Sequence, residues 1–76
     1  MQLDLSKARA TVQELAEVLA ALDGEEVDDA PTRAGQRQRV RVSRTLQHLD
    51  HLARKASVEV MDVFWEFKPH DTTRGD

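Results

Sequence analysis

The chain has 76 residues, of which 39% are hydrophobic and 33% charged, and its formal net charge is −3. A chain of this size has little surface to bury, so we expect one domain with a thin core and favour a partner subunit. The lack of cysteine excludes a disulfide scaffold and a cysteine zinc site. Because no apolar run approaches the roughly 20 residues of a membrane span and no signal-peptide pattern is present, we expect a soluble, cytoplasmic protein without a membrane partner.

The charges fall into three blocks along the chain. Residues 1–29 carry a net charge of −6, and residues 50–76 carry −2. Between them, residues 30–49 carry +5, from five arginines and no acidic residue. An acidic block followed by a basic block favours pairing within the chain or between chains.

The first predicted helix runs from about Leu5 to Leu22. Its apolar residues recur at spacings of three and four, which is typical of one helix face; they are Leu5, Ala8, Val12, Leu15, Leu19 and Leu22. Asp4 or Ser6 can cap the beginning of this helix. Gly24 follows its end, where a residue with a left-handed backbone conformation is favoured.

The second predicted helix is continuous from near Thr32 to Phe67. Its apolar residues keep the same spacing without interruption; they are Val42, Leu46, Leu49, Ala53, Ala56, Val60, Val63 and Phe67. Asp28 or Asp29, in the preceding connection, can cap its beginning. No glycine or proline interrupts the helix after Gly35, so the pattern predicts a single long helix.

The two helices predict an all-α fold, an antiparallel hairpin with a short first helix and a long second helix. We expect residues 1–68 to form this single domain. Residues 69–76 are expected to be a disordered tail, because Pro69 ends the helix and few apolar residues follow it. The seam between the helices is predicted to contain Leu15, Leu19, Leu46 and Leu49.

The end of the second helix is the most apolar stretch of the chain. If a short loop joins the helices, Leu5 lies near residues 49–53, and the second helix lacks an intrachain partner after about Ala56. Leaving its large apolar side chains in water would forgo about 1.5–3 kcal/mol each. We therefore predict that this end docks on a second copy, giving a dimeric four-helix bundle. The predicted interface residues are Val60, Met61, Val63, Phe64, Trp65 and Phe67.

The sequence contains no catalytic motif, and no cofactor is predicted. It favours a small non-enzymatic module for protein–protein interaction or regulation that forms a homodimer and can take a second protein partner. The arginine-rich block is a candidate for anion or nucleic-acid contact; its residues are Arg37, Arg39, Arg41 and Arg44. Because the chain is net acidic, a solvated face or pairing with acidic residues of the first helix is favoured over nucleic acid.

An alternative interpretation starts from residues 39–43, which alternate like a short strand. An amphipathic helix follows at residues 45–53, and Ser57 can cap a second helix. This order, over residues 38–68, resembles the ribbon-helix-helix family of dimeric DNA-binding repressors and antitoxins. The resemblance implies a DNA-binding regulator in which the outward residues of the strand contact bases; these are Arg39, Arg41 and Ser43.

Two groups of residues have the spacing of metal ligands. His48 and His51 lie one turn apart but lack a third ligand, which favours surface histidines. The second group consists of two acidic pairs, Glu14 with Glu17 and Glu59 with Asp62. These pairs resemble the magnesium-binding carboxylates of all-helical nucleotide pyrophosphohydrolases related to MazG, which would imply a metal-dependent phosphohydrolase. Because an antiparallel hairpin is expected to separate the two pairs, we predict no metal site.

Overall fold

A computed structural model describes residues 2–68 as two helices joined by residues 23–32. Helix α1 spans Ser6–Leu22 and helix α2 spans Arg33–Phe67, and the two helices pack against each other. This confirms the predicted all-α hairpin with a short first and a long second helix. The predicted tail, residues 69–76, lies outside the described residues. Neither helix is long and apolar enough to cross a membrane.

Residues 39–43 are helical, because they lie well inside α2. The strand on which the ribbon-helix-helix resemblance depends is therefore wrong for this chain, and no strand occurs anywhere in residues 2–68. The β-branched Val40 and Val42 are weak helix formers. Their preference is overridden because the helix is continuous on both sides of them and Val42 is half-buried.

The helix ends have specific causes. At the start of α1, the Asp4 carboxylate accepts hydrogen bonds from the Ser6 hydroxyl at 2.6 Å and from the Ser6 backbone N–H at 3.1 Å. After α1, Gly24 has a φ of +81°, the left-handed conformation that was predicted for it. At the start of α2, the cap is the Thr32 hydroxyl, which accepts from the Gly35 N–H at 3.0 Å. Neither Asp28 nor Asp29 caps α2, so that prediction is wrong.

The connection folds back along the first turns of α2. The Gln38 side chain accepts from the backbone N–H of Asp28 at 2.7 Å and donates to the carbonyl of Glu26 at 2.5 Å. The Arg39 guanidinium donates to the carbonyl of Ala30 at 3.1 Å and also to the carbonyl of Asp28. The beginning of α2 is thus covered by the connection rather than by α1.

Gly35 is required where the connection and α2 approach most closely. A Cβ atom at this position would lie 2.8 Å from the carbonyl oxygen of Ala30 and 3.2 Å from both Arg39 and Asp28. The first distance is shorter than a carbon–oxygen contact allows. A glycine inside a helix, usually a weak choice, here makes room for the returning chain.

The position of the connection determines the antiparallel register. Leu22 lines a groove with Val42, and the hydroxyl of Thr11 bonds to Glu59. Farther along, Ala8 lines a groove with Val63. The prediction that α2 lacks an intrachain partner after about residue 56 is therefore wrong. The prediction assumed a short loop. In the structure residues 23–32 lie along the first turns of α2, so α1 packs closer to the C-terminal end of α2.

The residues of the seam recur at spacings of three and four, as predicted. Every second one, however, is the residue before the predicted position, for example Thr11 instead of Val12. The buried residues are Ala8, Thr11, Leu49, Leu52 and Ala56. The half-buried ones are Leu15, Val18, Leu22, Val42, Thr45, Glu59 and Val63. Leu15 and Leu49 are seam residues as predicted. The prediction is wrong for Leu19 and Leu46, which are 50% and 53% exposed.

Candidate interaction surface

A second line of apolar residues runs beside the seam and faces solvent. We call it the apolar flank; it consists of Leu5, Val12 and Leu19 on α1 and Leu46, Ala53, Val60 and Phe67 on α2, all exposed. Within each helix these residues are seven apart, so they form a row nearly parallel to the helix axis. On α1, Val12 and Leu19 come four residues after the seam residues Ala8 and Leu15, so this row lies directly beside the seam.

The two rows lie on the same side of the hairpin. An antiparallel helix pair has an approximate two-fold axis perpendicular to the plane of the helices, so equivalent positions on the two helices fall on one side. The structure agrees, since Leu19 of α1 and Leu46 of α2 line a single groove together with the seam residue Leu49. The two rows therefore form one continuous apolar surface.

The six predicted interface residues do not share one face. Val60 and Phe67 belong to the apolar flank, and Phe64 lies beside them, four residues after the first and three before the second. Val63 instead lies half-buried in the seam. Met61 lies about 100° around the helix from Val60, toward its outer face.

Trp65 also lies on the outer face of α2, about 140° from Val60. Its ring meets the ring of Phe64 edge-on, with a centroid separation of 5.3 Å. The Lys68 ammonium lies 5.0 Å from the centroid of the Trp65 ring, a cation–π distance. The indole thus contacts Phe64 of α2 and Lys68, the residue after the helix, although it remains largely exposed.

The residues of the flank that sequence reasoning missed are those of α1, together with Leu46 and Ala53 of α2. Their signal was present in part, because each helix has one stretch with three apolar residues on neighbouring positions, Leu15, Val18 and Leu19 on α1 and Leu49, Leu52 and Ala53 on α2. Two positions in seven are enough for a simple two-helix seam, and the third is typical of helices that face a larger core.

The opposite side of the hairpin carries a different chemistry. There α2 and the end of α1 line a groove that we call the basic groove; its lining includes Arg33, Arg37, Arg41, Arg44 and His48, with Val18 and Val40. The Arg41 guanidinium pairs with the Glu25 carboxylate at 2.8 Å, and His48 Nε2 lies 3.8 Å from Glu14 Oε2.

Arg39, predicted as a contact for anions, is not part of this groove. Its guanidinium is bound to backbone carbonyls of the connection, as described above. Arg37, Arg41 and Arg44, which were predicted in the same block, do line one groove. Sequence reasoning missed Arg33 and His48, which extend the basic groove at its two ends.

The candidate metal ligands remain apart. Glu59 accepts from Thr11 with one carboxylate oxygen and lies 3.9 Å from the Lys55 ammonium with the other. Glu14 of α1 instead faces His48, which lies across the seam on α2. In residues 2–68, no three His, Asp or Glu side chains come together in a way that would hold a metal ion.

No protein-family model matches this chain, and comparison with curated proteins and with solved structures finds no significant match.

Proposed function

We propose that this protein is a non-enzymatic interaction module that associates with a second copy of itself through the apolar flank, giving a dimeric four-helix bundle. The observation that carries the proposal is the position of the exposed apolar residues. They occupy equivalent positions on both helices and merge into one surface, beginning near Leu5 and Phe67 and ending near Leu19 and Leu46. Docking on this surface would give each helix the wide buried face of a bundle helix.

The thin core of the single hairpin supports the proposal. Within residues 2–68 its buried apolar residues are only Ala8, Leu49, Leu52 and Ala56, and none of these side chains is completely buried. A chain this short is seldom stable with so little apolar burial. A second copy would cover the leucines, valines and phenylalanine of the flank at about 1.5–3 kcal/mol for each large side chain that becomes fully buried.

The apolar flank also suits a symmetric partner. In a two-fold dimer the same patch meets itself, so any charge in the patch would be buried in both copies. None of the seven flank residues is charged, and neither is the adjoining Phe64. Two charged residues beside the flank on α2, Asp50 and Arg54, form an ion pair with each other at 2.9 Å, and Arg9 lies beside Leu5 and Val12 on α1.

Two valines of the same helix give a matched test. Val60 lies on the apolar flank and is 46% exposed, whereas Val58 lies on the outer face and is 59% exposed. We expect sedimentation velocity to show a species of twice the 8.6 kDa chain mass for the natural protein and for Val58→Glu. Val60→Glu is expected to sediment as a monomer, because it would bury a charge in the interface.

The measurement uses concentrations from about 1 μM to several hundred μM, which covers the affinities of ordinary homodimers. Circular dichroism of each variant checks that the helices are retained. A natural protein that stays monomeric throughout this range would contradict the proposal. Equal dissociation of Val58→Glu and Val60→Glu would contradict the choice of the apolar flank as the interface.

A further inference from the structure

The basic groove lies on the side of the hairpin that the proposed dimer leaves open. It has a volume of about 650 Å³. Arg33, Arg37 and Arg44 line it at spacings of four and seven, so their guanidinium groups follow one another along about 16 Å of α2. The groove is present in the single chain, and an inference about its ligand does not depend on self-association.

Three of these arginines carry charges that no acidic residue in the described part of the chain neutralises. Within residues 2–68, Arg33, Arg37 and Arg44 form no ion pair, in contrast to Arg41 with its partner Glu25. The five residues that give the 30–49 block its charge of +5 are all arginines, whose planar guanidinium binds a carboxylate or phosphate through two parallel hydrogen bonds. The groove therefore suits an anionic ligand with several separate negative groups.

The remaining lining distinguishes between anionic ligands. Val18 and Val40 give the groove an apolar floor, and its lining contains no Phe, Tyr or Trp on which a nucleobase could stack. Glu14 and Glu25 stand at its rim, paired with His48 and Arg41, and the whole chain has a net charge of −3. These carboxylates repel a long polyanion more strongly than they repel a short acidic segment.

We infer that the basic groove binds an acidic amphipathic helix of a partner protein. The carboxylates of that helix pair with Arg33, Arg37 and Arg44, and its apolar residues lie against Val18 and Val40. Helix-in-groove recognition of this kind uses a row of apolar anchors, and the flanking charges determine which partner is accepted.

The probe for this inference is a synthetic helical peptide of about 16 residues with a leucine row flanked by glutamates. Its binding is measured by fluorescence anisotropy, beside a control peptide of the same composition whose leucines and glutamates are distributed around the helix. We expect saturable binding of the first peptide, and binding at least about tenfold weaker for the control peptide. Amide and methyl resonances of Val18 and Val40 are expected to shift during the titration.

Charge reversal identifies the arginines that bind. The double variant Arg37→Glu, Arg44→Glu is expected to weaken peptide binding at least about tenfold. Arg54→Glu is the matched control, because Arg54 lies on α2 outside the groove, and its binding is expected to stay within about twofold of the natural protein. Both variants change exposed residues, and circular dichroism confirms that they stay folded.

Three results would overturn the inference. The first is a lack of saturable peptide binding up to about 1 mM. The second is peptide binding that the double variant does not weaken. The third is tighter binding of a DNA duplex of about 20 base pairs with the same dependence on Arg37 and Arg44, which would assign the groove to nucleic-acid backbones instead.

Discussion

The hydroxyl of Thr11 donates a hydrogen bond to the carboxylate of Glu59 at 2.5 Å, and this bond joins the two helices inside their seam. Thr11 is 3% exposed, and the side chain of Glu59 is 16% exposed. A buried hydroxyl and a largely buried carboxylate are costly unless they are paired, so each residue requires the other. The pair places Thr11 and Glu59 in the seam, and it leaves the neighbouring Val12 and Val60 on the apolar flank.

Removing one member of this pair is expected to cost more than removing both. Thr11→Val takes the donor away from Glu59, and Glu59→Leu leaves the buried Thr11 hydroxyl without an acceptor. We expect each single variant to lower the free energy of unfolding by about 1–3 kcal/mol, measured by urea denaturation. The double variant Thr11→Val, Glu59→Leu is expected to recover most of that loss. Simple addition of the two single costs would contradict the coupling.

Gly35 is expected to be sensitive to the addition of a single methyl group. In an exposed helix interior, Gly→Ala usually stabilises by about 1 kcal/mol. Here the new Cβ would meet the carbonyl oxygen of Ala30 at 2.8 Å, so we expect Gly35→Ala to destabilise by about 1–3 kcal/mol. Gln36→Ala, an exposed neighbour in the same turn, is the control and is expected to be neutral or slightly stabilising. Stabilisation by Gly35→Ala would show that the connection is not held against α2.

Thermal unfolding is expected to depend on protein concentration, because the proposed dimer is favoured by mass action. Leu49→Ala, in the seam, is expected to cost about 2–5 kcal/mol at every concentration. Leu46→Ala, on the apolar flank, is expected to lower the Tm strongly at high concentration and little at low concentration. Differential scanning fluorimetry over a hundredfold dilution measures both. A Tm that does not change with dilution of the natural protein would contradict self-association.

The beginning of α1 is expected to loosen in acid. Hydrogen bonds from the side chain and then the backbone of Ser6 lower the pKa of Asp4 below its ordinary value of 3.8. A lowered pKa in the folded state means that the Asp4 carboxylate stabilises the helix end above pH 3.8 and loses this effect as the pH falls through the lowered pKa. An NMR titration of the Asp4 carboxyl carbon and the Ser6 amide tests this. A pKa at or above 3.8, or a Ser6 amide that does not follow the titration, would contradict it.

The sequence predicted the helices better than their faces. The uninterrupted spacing and the lack of glycine or proline after Gly35 predicted α2 to within one residue at its start. The phase of the seam was not predictable from apolar spacing alone, because Val12 and Val60 fit the same repeat as the seam residues Thr11 and Glu59. The seam contains the hydrogen-bonded pair of Thr11 and Glu59, and pairing across the hairpin is not visible in a periodicity.

The antiparallel register of α1 against α2 could not be predicted from the sequence for a different reason. It depends on bonds from Gln38 and Arg39 to backbone carbonyls of the connection, and a backbone carbonyl has no residue type by which a sequence could reveal it. For the same reason the sequence did not distinguish Arg39, which binds these carbonyls, from the neighbouring arginines that line the basic groove. The basic groove itself was partly predictable, because Arg37, Arg41 and Arg44 share a face on any continuous helix.

Helix α2 continues for 35 residues, a stiff rod of about 52 Å. Arg33 stands at one end of that rod and Trp65 near the other, and no hinge residue separates them after Gly35. Ligands held at the two ends would be kept a nearly constant distance apart, whichever chains they belong to. The molecule would then serve as a spacer, setting the separation of its ligands as well as their identity.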